Sequence, residues 1–159
     1  MIDRQELRRC FGAFMTGVTI VTTKNENDEP VGFTANSFTS VSLDPPLLLV
    51  CIDNKSDNIA AYTNNSGFAV NILAADQQDL SNKFASQIAD RFTDVAWQNS
   101  PNNNPILNHT AASFDCLLDQ QIPAGDHTIL IGRIEGCTTS DQDGLGYARG
   151  KYFTLNPNA

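Results

Sequence analysis

The sequence has few basic residues and little histidine. Its 159 residues include 10 Lys and Arg against 18 Asp and Glu, which gives a formal net charge of −8. Such a surface repels phosphate backbones and anionic lipid, so no nucleic-acid or membrane partner is expected. The only histidines are His109 and His127, which excludes a histidine-rich metal site, and no metal is expected. An anionic cofactor would need some of the few basic residues, so each of them is a candidate ligand.

The sequence also has no paired cysteine motif and no long apolar run. Its four cysteines are Cys10, Cys51, Cys116 and Cys137, and because they form no C-x-x-C pair, neither a zinc site nor a thioredoxin-like motif is indicated. No apolar run approaches the roughly 20 residues of a membrane span. Residues 1–6 lack the apolar stretch of a secretory signal. We therefore expect reduced, mostly buried thiols and a cytoplasmic protein.

The common nucleotide and hydrolase motifs are missing. The sequence contains no P-loop, no H-E-x-x-H and no nucleophile elbow. The glycines Gly144, Gly146 and Gly150 suggest a dinucleotide fingerprint, but the third is one position late and no helix follows it. We interpret these glycines as turn residues.

The sequence does predict many strands and a few short helices in one domain covering residues 1–159. Predicted strands cover residues 18–23, 31–42, 47–52, 67–73, 112–122, 128–138 and 147–155. Predicted helices cover residues 3–15, 76–85 and a short segment through Tyr62 with Ser56 as its N-cap. Residues 98–104 are predicted to form a surface loop. Because the strands do not alternate with crossover helices, a mostly antiparallel barrel is favoured over a doubly wound parallel sheet.

Two polar segments are candidate binding sites. Residues 32–40 offer backbone N–H groups, hydroxyls and an amide that could satisfy the acceptors of a heterocycle, although an ordinary polar strand would have the same composition. Residues 51–56 run from a buried strand into a helix start, where free N–H groups beside Lys55 could hold an anion. An ordinary N-cap with a solvated lysine is the alternative. Lys83 could likewise be a surface charge on a helix.

Taken in order, these segments resemble the flavin reductase-like, FMN-binding split-barrel family. The resemblance rests on residues 16–18, 32–38, 41–47, 80–85 and 125–127, and it covers residues 4–155. It implies a mainly β fold, an antiparallel, Greek-key-like split barrel with a few short peripheral helices. It also implies a homodimer with the flavin near the subunit interface.

The function implied by the resemblance is NAD(P)H:flavin oxidoreductase activity. Hydride would pass from NADH or NADPH to FMN, with FAD as the other candidate flavin, and a partner flavin-dependent monooxygenase would receive the reduced flavin. The alternative is a flavin-carrying electron-transfer protein with little nicotinamide activity. The sequence does not decide between the two flavins or the two nucleotides, nor whether the flavin stays bound between turnovers.

The resemblance also implies site residues. Asp126 and His127 match the family's Gly-Asp-His signature on the nicotinamide side, and His127 is the one candidate catalytic residue. Lys83 would pair with the flavin phosphate as a point charge where the family often has arginine. The cofactor-binding candidates are Thr34, Ala35, Asn36, Ser37, Cys51, Ile52, Lys55, Ser56, Asn82, Lys83, Asp126, His127 and Tyr152. Glycines before Tyr147 replace the bulkier residues of relatives, which alters the nicotinamide-side wall.

Overall fold

The computed structural model describes residues 2–155. Three helices are present, α1 (Arg4–Gly12), α2 (Ile59–Asn64) and α3 (Gln78–Ala85). The strands are, in chain order, β1 (Thr16–Gly17), β2 (Thr19–Lys24), β3 (Pro30–Ala35), β4 (Thr39–Leu43), β5 (Pro46–Asp53), β6 (Gly67–Ile72), β7 (Trp97–Asn99), β8 (Pro105–Leu107), β9 (Ala112–Ala124), β10 (His127–Thr139), β11 (Gly146–Ala148) and β12 (Lys151–Phe153).

The main sheet has seven strands in the order β3-β2-β6-β9-β10-β5-β4, and every neighbouring pair is antiparallel. Its two edge strands, β3 and β4, are consecutive in the chain and are joined by residues 36–38. In a flat sheet these edges would lie about 29 Å apart, whereas the connection reaches at most about 14 Å. The sheet therefore curls into a split barrel, which confirms the predicted fold class.

The crossover at residues 36–38 corrects the prediction of one strand over residues 31–42. Hydroxyl and amide side chains run through the whole segment, so nothing in the pattern marks a break. In the structure, β3 ends at Ala35 on one edge of the sheet and β4 starts at Thr39 on the other. Closing the barrel requires the interruption.

Three further local predictions were wrong. The helix predicted to start at Ser56 is α2, which starts at Ile59 after Asn58 and has no side-chain cap. The strand predicted over 147–155 is the hairpin β11–β12, whose turn at Arg149 and Gly150 has positive φ at both residues. The loop predicted over residues 98–104 overlaps β7. Its last residue, Asn104, is buried, and the side-chain amide donates to the Asp115 carboxylate at 2.8 Å and to the Cys116 carbonyl at 3.2 Å.

Gly146 also differs from the turn role predicted for it. It lies within β11, and a Cβ at this position would come within 2.4 Å of the Phe153 ring. Among the three glycines of the apparent fingerprint, Gly150 is the one at the hairpin turn. Close packing of an aromatic ring, rather than a turn, accounts for Gly146.

Two apolar clusters stabilise the fold. The first fills the barrel and includes Val50, Tyr62, Phe68 and Leu130, all at most 1% exposed. The second lies outside the barrel and packs α3, through Phe84, against Ile20, Leu73 and Leu145. Phe84 contacts Phe92 edge to face with ring centroids 5.0 Å apart. This second cluster positions α3 and the β11–β12 hairpin beside β3.

Helix α1 has an N-cap at Asp3, which accepts hydrogen bonds from the Gln5 and Glu6 amides, but it buries no residue. Cys10 on α1 and Cys137 on β10 are exposed, so the expectation of mostly buried cysteines was wrong for these two. Within residues 2–155, no helix is both long and apolar enough to cross a membrane.

Candidate functional site

A recess of about 200 Å³ opens between β3, α3 and the β11–β12 hairpin. It brings together the predicted ligands Thr34, Asn36 and Tyr152. Residues that were not predicted complete it, and its full lining is Val18, Thr34, Asn36, Ser81, Ala85, Tyr147 and Tyr152. The rings of Tyr147 and Tyr152 meet at 62° with centroids 5.2 Å apart, forming an aromatic wall. We refer to this set of residues as the recess.

Hydrogen bonds fix the side chains of the recess. The Tyr152 hydroxyl donates to the Asn82 side-chain oxygen at 2.9 Å. Because this uses its one proton, the fully buried Ser81 hydroxyl donates to Tyr152, at 2.9 Å. Thr34 donates its hydroxyl proton to the Ser81 carbonyl at 2.6 Å, so towards a ligand Thr34 can only accept. The predicted residues Thr34, Asn82 and Tyr152 therefore belong to one network.

The crossover at residues 36–38 forms the next part of the site. The Ser37 hydroxyl accepts from the Cys51 amide at 2.9 Å and donates to the Cys51 carbonyl at 3.3 Å, so it ties the crossover to β5. Ala35 is 7% exposed and its carbonyl accepts from Thr19. Asn36 is exposed, and within residues 2–155 its amide makes no hydrogen bond. Of these three side chains, Asn36 is the one free to bind a ligand.

A second group of predicted residues meets where β5 ends and β10 begins. In the antiparallel register, His127 lies opposite Asp53 and Thr128 opposite Ile52. The Asn54 amide donates to the Asp126 carbonyl at 3.0 Å, and Thr128 donates to the Asn54 side chain at 2.7 Å. We call the residues Asp53, Asn54, Asp126, His127 and Thr128 the corner.

His127 makes a hydrogen bond with Asp126 at the corner, and Asp126 is the more exposed of the two side chains. The His127 Nδ1 lies 2.8 Å from the Asp126 carboxylate, and the side chains are 43% and 88% exposed, respectively. The hydrogen bond from His127 lowers the pKa of Asp126 below its usual value. With Nδ1 engaged, Nε2 is the ring atom available to a ligand.

The predicted anion cradle over residues 51–56 is wrong in its backbone part. The Lys55 amide donates to the Asp53 carboxylate at 2.8 Å, and the Ser56 amide donates to the Asp53 carbonyl at 2.9 Å. Both N–H groups are used in hydrogen bonds to Asp53 within a turn and cannot bind an anion. The helix that follows, α2, is only six residues long and adds no N-terminal anion site. Only the Lys55 ammonium and the Ser56 hydroxyl remain as ligands. Ile52 is 1% exposed and belongs to the barrel core.

Lys83 lies at the end of α3, away from Lys55. Its ammonium donates to the Thr93 carbonyl, which leaves two N–H donors for an anion. Arg91 was not predicted. Its guanidinium donates to the carbonyls of Ser86 and Gly32, both at 2.9 Å, and so ties the segment after α3 to β3. No sequence motif marks Arg91, whereas Ser81 lies inside the 80–85 segment and could have been included.

Another groove, of about 380 Å³, is lined by Lys24, by asparagines of the β2–β3 turn and by α2. Lys24 ends β2 at the opposite end of that strand from Val18 and the recess. None of the predicted site residues lines this groove. It is therefore separate from the candidate site.

The donors and acceptors of the recess suit a flavin. Its aromatic wall gives a face for a planar ring, and the free Asn36 amide can both donate to and accept from a heterocycle. β3, which borders the recess, is an edge strand of the sheet, and its Gly32 carbonyl accepts a hydrogen bond from Arg91. Lys83 supplies a positive charge at the far end of α3.

Comparison with known proteins identifies the fold. Residues 11–156 match the family model described as "Flavin reductase like domain". The structure superimposes with a TM-score of 0.93 on the NADH:FAD oxidoreductase of Streptomyces globisporus C-1027, solved with NAD and FAD fragments. The two are 37% identical, and the match covers 99% of this chain and 95% of the other. The predicted family resemblance is confirmed.

Proteins of similar sequence are also named as flavin reductases. The reductase component of the flavin-dependent trigonelline monooxygenase of Acinetobacter baylyi is 53% identical over 150 residues, 94% of this chain and 48% of that protein. An NADH-dependent FAD reductase of Streptomyces globisporus is 36% identical over 99% of this chain and 88% of its own length. The chain spans about half the length of the first two curated relatives that it matches.

Proposed function

The chain belongs to the flavin reductase-like domain family, and from that membership we propose that it transfers hydride from NADH or NADPH to FMN or FAD. The observation that carries the proposal is the recess, where Thr34, Asn36 and Tyr152 form a fixed polar and aromatic surface. We take residues 1–159 to form one such domain, although Met1 and residues 156–159 lie outside the described part of the chain.

A bound flavin would supply the hydride-accepting ring, and the chain would supply binding and alignment. Tyr147 and Tyr152 would lie against the ring, and Asn36 would donate to and accept from its polar edge. Backbone N–H groups of residues 34–37 would favour negative charge on the ring edge, because donors held in place need no reorganisation. Lys83 would bind the phosphate through its two remaining N–H donors.

His127 would act on the nicotinamide side. The Asp126 carboxylate holds its Nδ1, so the imidazole is oriented with Nε2 outward. In this orientation Nε2 can bind a carboxamide or a ribose hydroxyl. Breaking the C–H bond needs no protein acid or base, which agrees with the single candidate catalytic residue.

The proposal is tested by anaerobic mixing of NADH or NADPH with purified protein and FMN, FAD or riboflavin, followed at the flavin absorbance band. Rapid bleaching with at least one nucleotide is expected. Flavin that binds but is reduced no faster than in protein-free solution would instead favour the electron-transfer role.

A partner oxygenase is part of the proposal. The Acinetobacter baylyi relative is named as the reductase component of a monooxygenase, and we infer the same division of labour here. Coupling would appear as substrate oxidation when the reductase is added to an oxygenase from the same cell. A cytoplasmic location agrees with four cysteines that form no disulfide within residues 2–155.

We also propose a homodimer. The exposed fractions of Phe11, Phe14 and Met15, on and just after α1, are 69%, 77% and 67%. A contiguous apolar surface of this kind usually meets another protein surface, and a second copy would cover it by two-fold symmetry. Light scattering should report about twice the 17.3 kDa chain mass. Replacing Phe11 and Phe14 with serine should shift the mass to that of the monomer.

A further inference from the structure

Basic residues are concentrated on α1 and the β11–β12 hairpin. Five of the ten Lys and Arg of this acidic chain lie there, namely Arg4, Arg8, Arg9, Arg149 and Lys151. The Arg149 amide donates to the Gly12 carbonyl at 2.7 Å, which joins the hairpin turn to the end of α1. Two separate elements therefore bring their positive charges to one place.

A pocket of about 380 Å³ lies at this junction, and Arg8, Arg9, Arg149, Gly12 and Gly150 line it. None of its lining residues is acidic. Arg9 pairs with Glu6, but within residues 2–155 the guanidinium groups of Arg8 and Arg149 have neither a hydrogen bond nor an ion pair. Arg8 and Arg149 line the same pocket and neither has a counter-charge among the described residues, so an anion bound there would be attracted by both.

The pocket adjoins the candidate site through the hairpin. Arg149, in the turn that follows β11, is two residues beyond Tyr147 of the recess, although the two cavities share no lining residue. Arg4 lies one helical turn before Arg8, on the same side of α1. The positive charge of α1 therefore runs along one side of the helix, whose last residue, Gly12, bonds to the hairpin turn.

Helix stability explains only part of this arrangement. Arg8 and Arg9 near the end of α1 complement the negative end of its dipole. Arg4, at the first helical position, opposes the dipole, and Arg149 belongs to another element. These two placements need a different reason.

We propose that Arg8 and Arg149 form a binding site for a phosphate group of the nicotinamide nucleotide, an inference that rests on the proposed function. Guanidinium groups from two elements can hold phosphate oxygens by paired N–H donors. The phosphate has two sources, the 2′-phosphate that distinguishes NADPH from NADH and the pyrophosphate that both share. In the first case, this pocket sets the nucleotide preference.

The test uses the full chain loaded with flavin and the double variant Arg8→Gln/Arg149→Gln. The matched control is Arg133→Gln, an exposed arginine on β10 that is paired with Glu135 and does not line the pocket. Flavin reduction is measured over a range of NADH and NADPH concentrations. In parallel, calorimetry at low salt measures binding of adenosine 2′-phosphate, ADP and adenosine, with thermal melting to confirm folding.

The double variant should weaken the phosphate-dependent interaction at least tenfold, and added salt should reduce the difference. If affinity is lost only for NADPH and adenosine 2′-phosphate, the pocket binds the 2′-phosphate. If affinity is lost equally for NADH, NADPH and ADP, the pocket binds the pyrophosphate.

A double variant that matches Arg133→Gln in every measurement overturns the site. Should the wild-type protein reduce flavin with neither nucleotide, the proposed function fails, while calorimetry still decides whether this pocket binds phosphate.

Discussion

The recess and the corner differ in how firmly their side chains are held. In the recess, Ser81 is fully buried and its hydroxyl donates to Tyr152, which in turn donates to Asn82. At the corner, the side chain of His127 is 43% exposed and is held by one carboxylate that is itself 88% exposed. A site fixed before binding suits a ligand retained in one orientation, whereas an open site suits a ligand that must enter and leave in each turnover. On the proposed function, the recess would hold the flavin in one orientation during reduction, and the corner would admit the nucleotide.

The largest expected effect concerns the binding of the flavin phosphate by Lys83, compared with Lys55 on the corner side. Lys83→Ala should weaken FMN binding roughly 10- to 150-fold, because one charge-assisted hydrogen bond contributes about 1.5–3 kcal/mol. Lys55→Ala is the matched variant on the corner side, where the lysine is exposed and solvated, and we expect it to have a smaller effect. Fluorescence titrations with FMN and riboflavin measure both. If Lys83→Ala weakens the two flavins equally, Lys83 does not bind the phosphate.

The next effect tests whether the recess network is as firm as its contacts indicate. Tyr152→Phe removes the acceptor of the buried Ser81 hydroxyl, and a buried group without a partner costs about 1–3 kcal/mol. Tyr147→Phe is the control, since within residues 2–155 its hydroxyl makes no hydrogen bond. Urea unfolding of the two variants should give a lower free energy for Tyr152→Phe alone. Equal stabilities would mean that the network contributes nothing to the recess.

A smaller effect is expected at the corner. His127→Ala should lower kcat/KM for the nucleotide about tenfold, or about 1.4 kcal/mol, because the variant loses the group that orients the nicotinamide. Flavin affinity should stay within a few-fold, since the recess is unchanged. Stopped-flow reduction of flavin-loaded protein separates the two effects, with the other histidine variant, His109→Asn, as control. Normal flavin reduction in His127→Ala, or loss of flavin, would make His127 structural.

The smallest expected effect is a change in the pKa of Asp126 at the corner. The pKa of Asp126 lies below 3.8, mainly because His127 donates a hydrogen bond to its carboxylate. A lowered pKa means that this interaction stabilises the folded protein above pH 3.8 and is lost as the pH falls through the pKa of the folded state. In His127→Ala the carboxyl pKa should rise towards 3.8, as followed by carbon NMR. Asp90, whose pKa is lowered mainly by Thr93, should not change; an unchanged Asp126 would contradict the ion pair.

The sequence predicted most strands because β-branched runs such as residues 18–23 are buried in the sheet. It did not predict the break at residues 36–38, which depends on how far the sheet curls. The polar segment 32–40 contributes Thr34 and Asn36 to the recess, yet Ser37 bonds to Cys51, and among residues 35–37 Asn36 is the one whose side chain is free. Pairing between distant segments, such as Ser81 with Tyr152, has no local signal, so the recess could be named only in part.

Helix α1 also shows that local sequence does not predict contacts between distant surfaces. Its spacing of Leu7, Phe11 and Phe14 predicted an amphipathic helix, and the helix is present. The pattern carries no information about which surface the apolar side meets, and among the described residues that side stays largely exposed at Phe11 and Phe14. The same holds for Arg8 and Arg149, which are far apart in sequence and meet only because the hairpin turn bonds to Gly12.

The short crossover between β3 and β4 makes this protein sensitive to insertion and deletion at that point. Removing one residue from positions 36–38 would shorten the link that spans the split and would turn every side chain of β4 to the opposite face, because successive residues of a strand alternate. The turn between β7 and β8 joins strands that are already adjacent, so its length is less constrained. Loop grafting should therefore leave residues 36–38 intact, and a graft in the β7–β8 turn should keep the buried Asn104, whose amide bonds to Asp115 and Cys116.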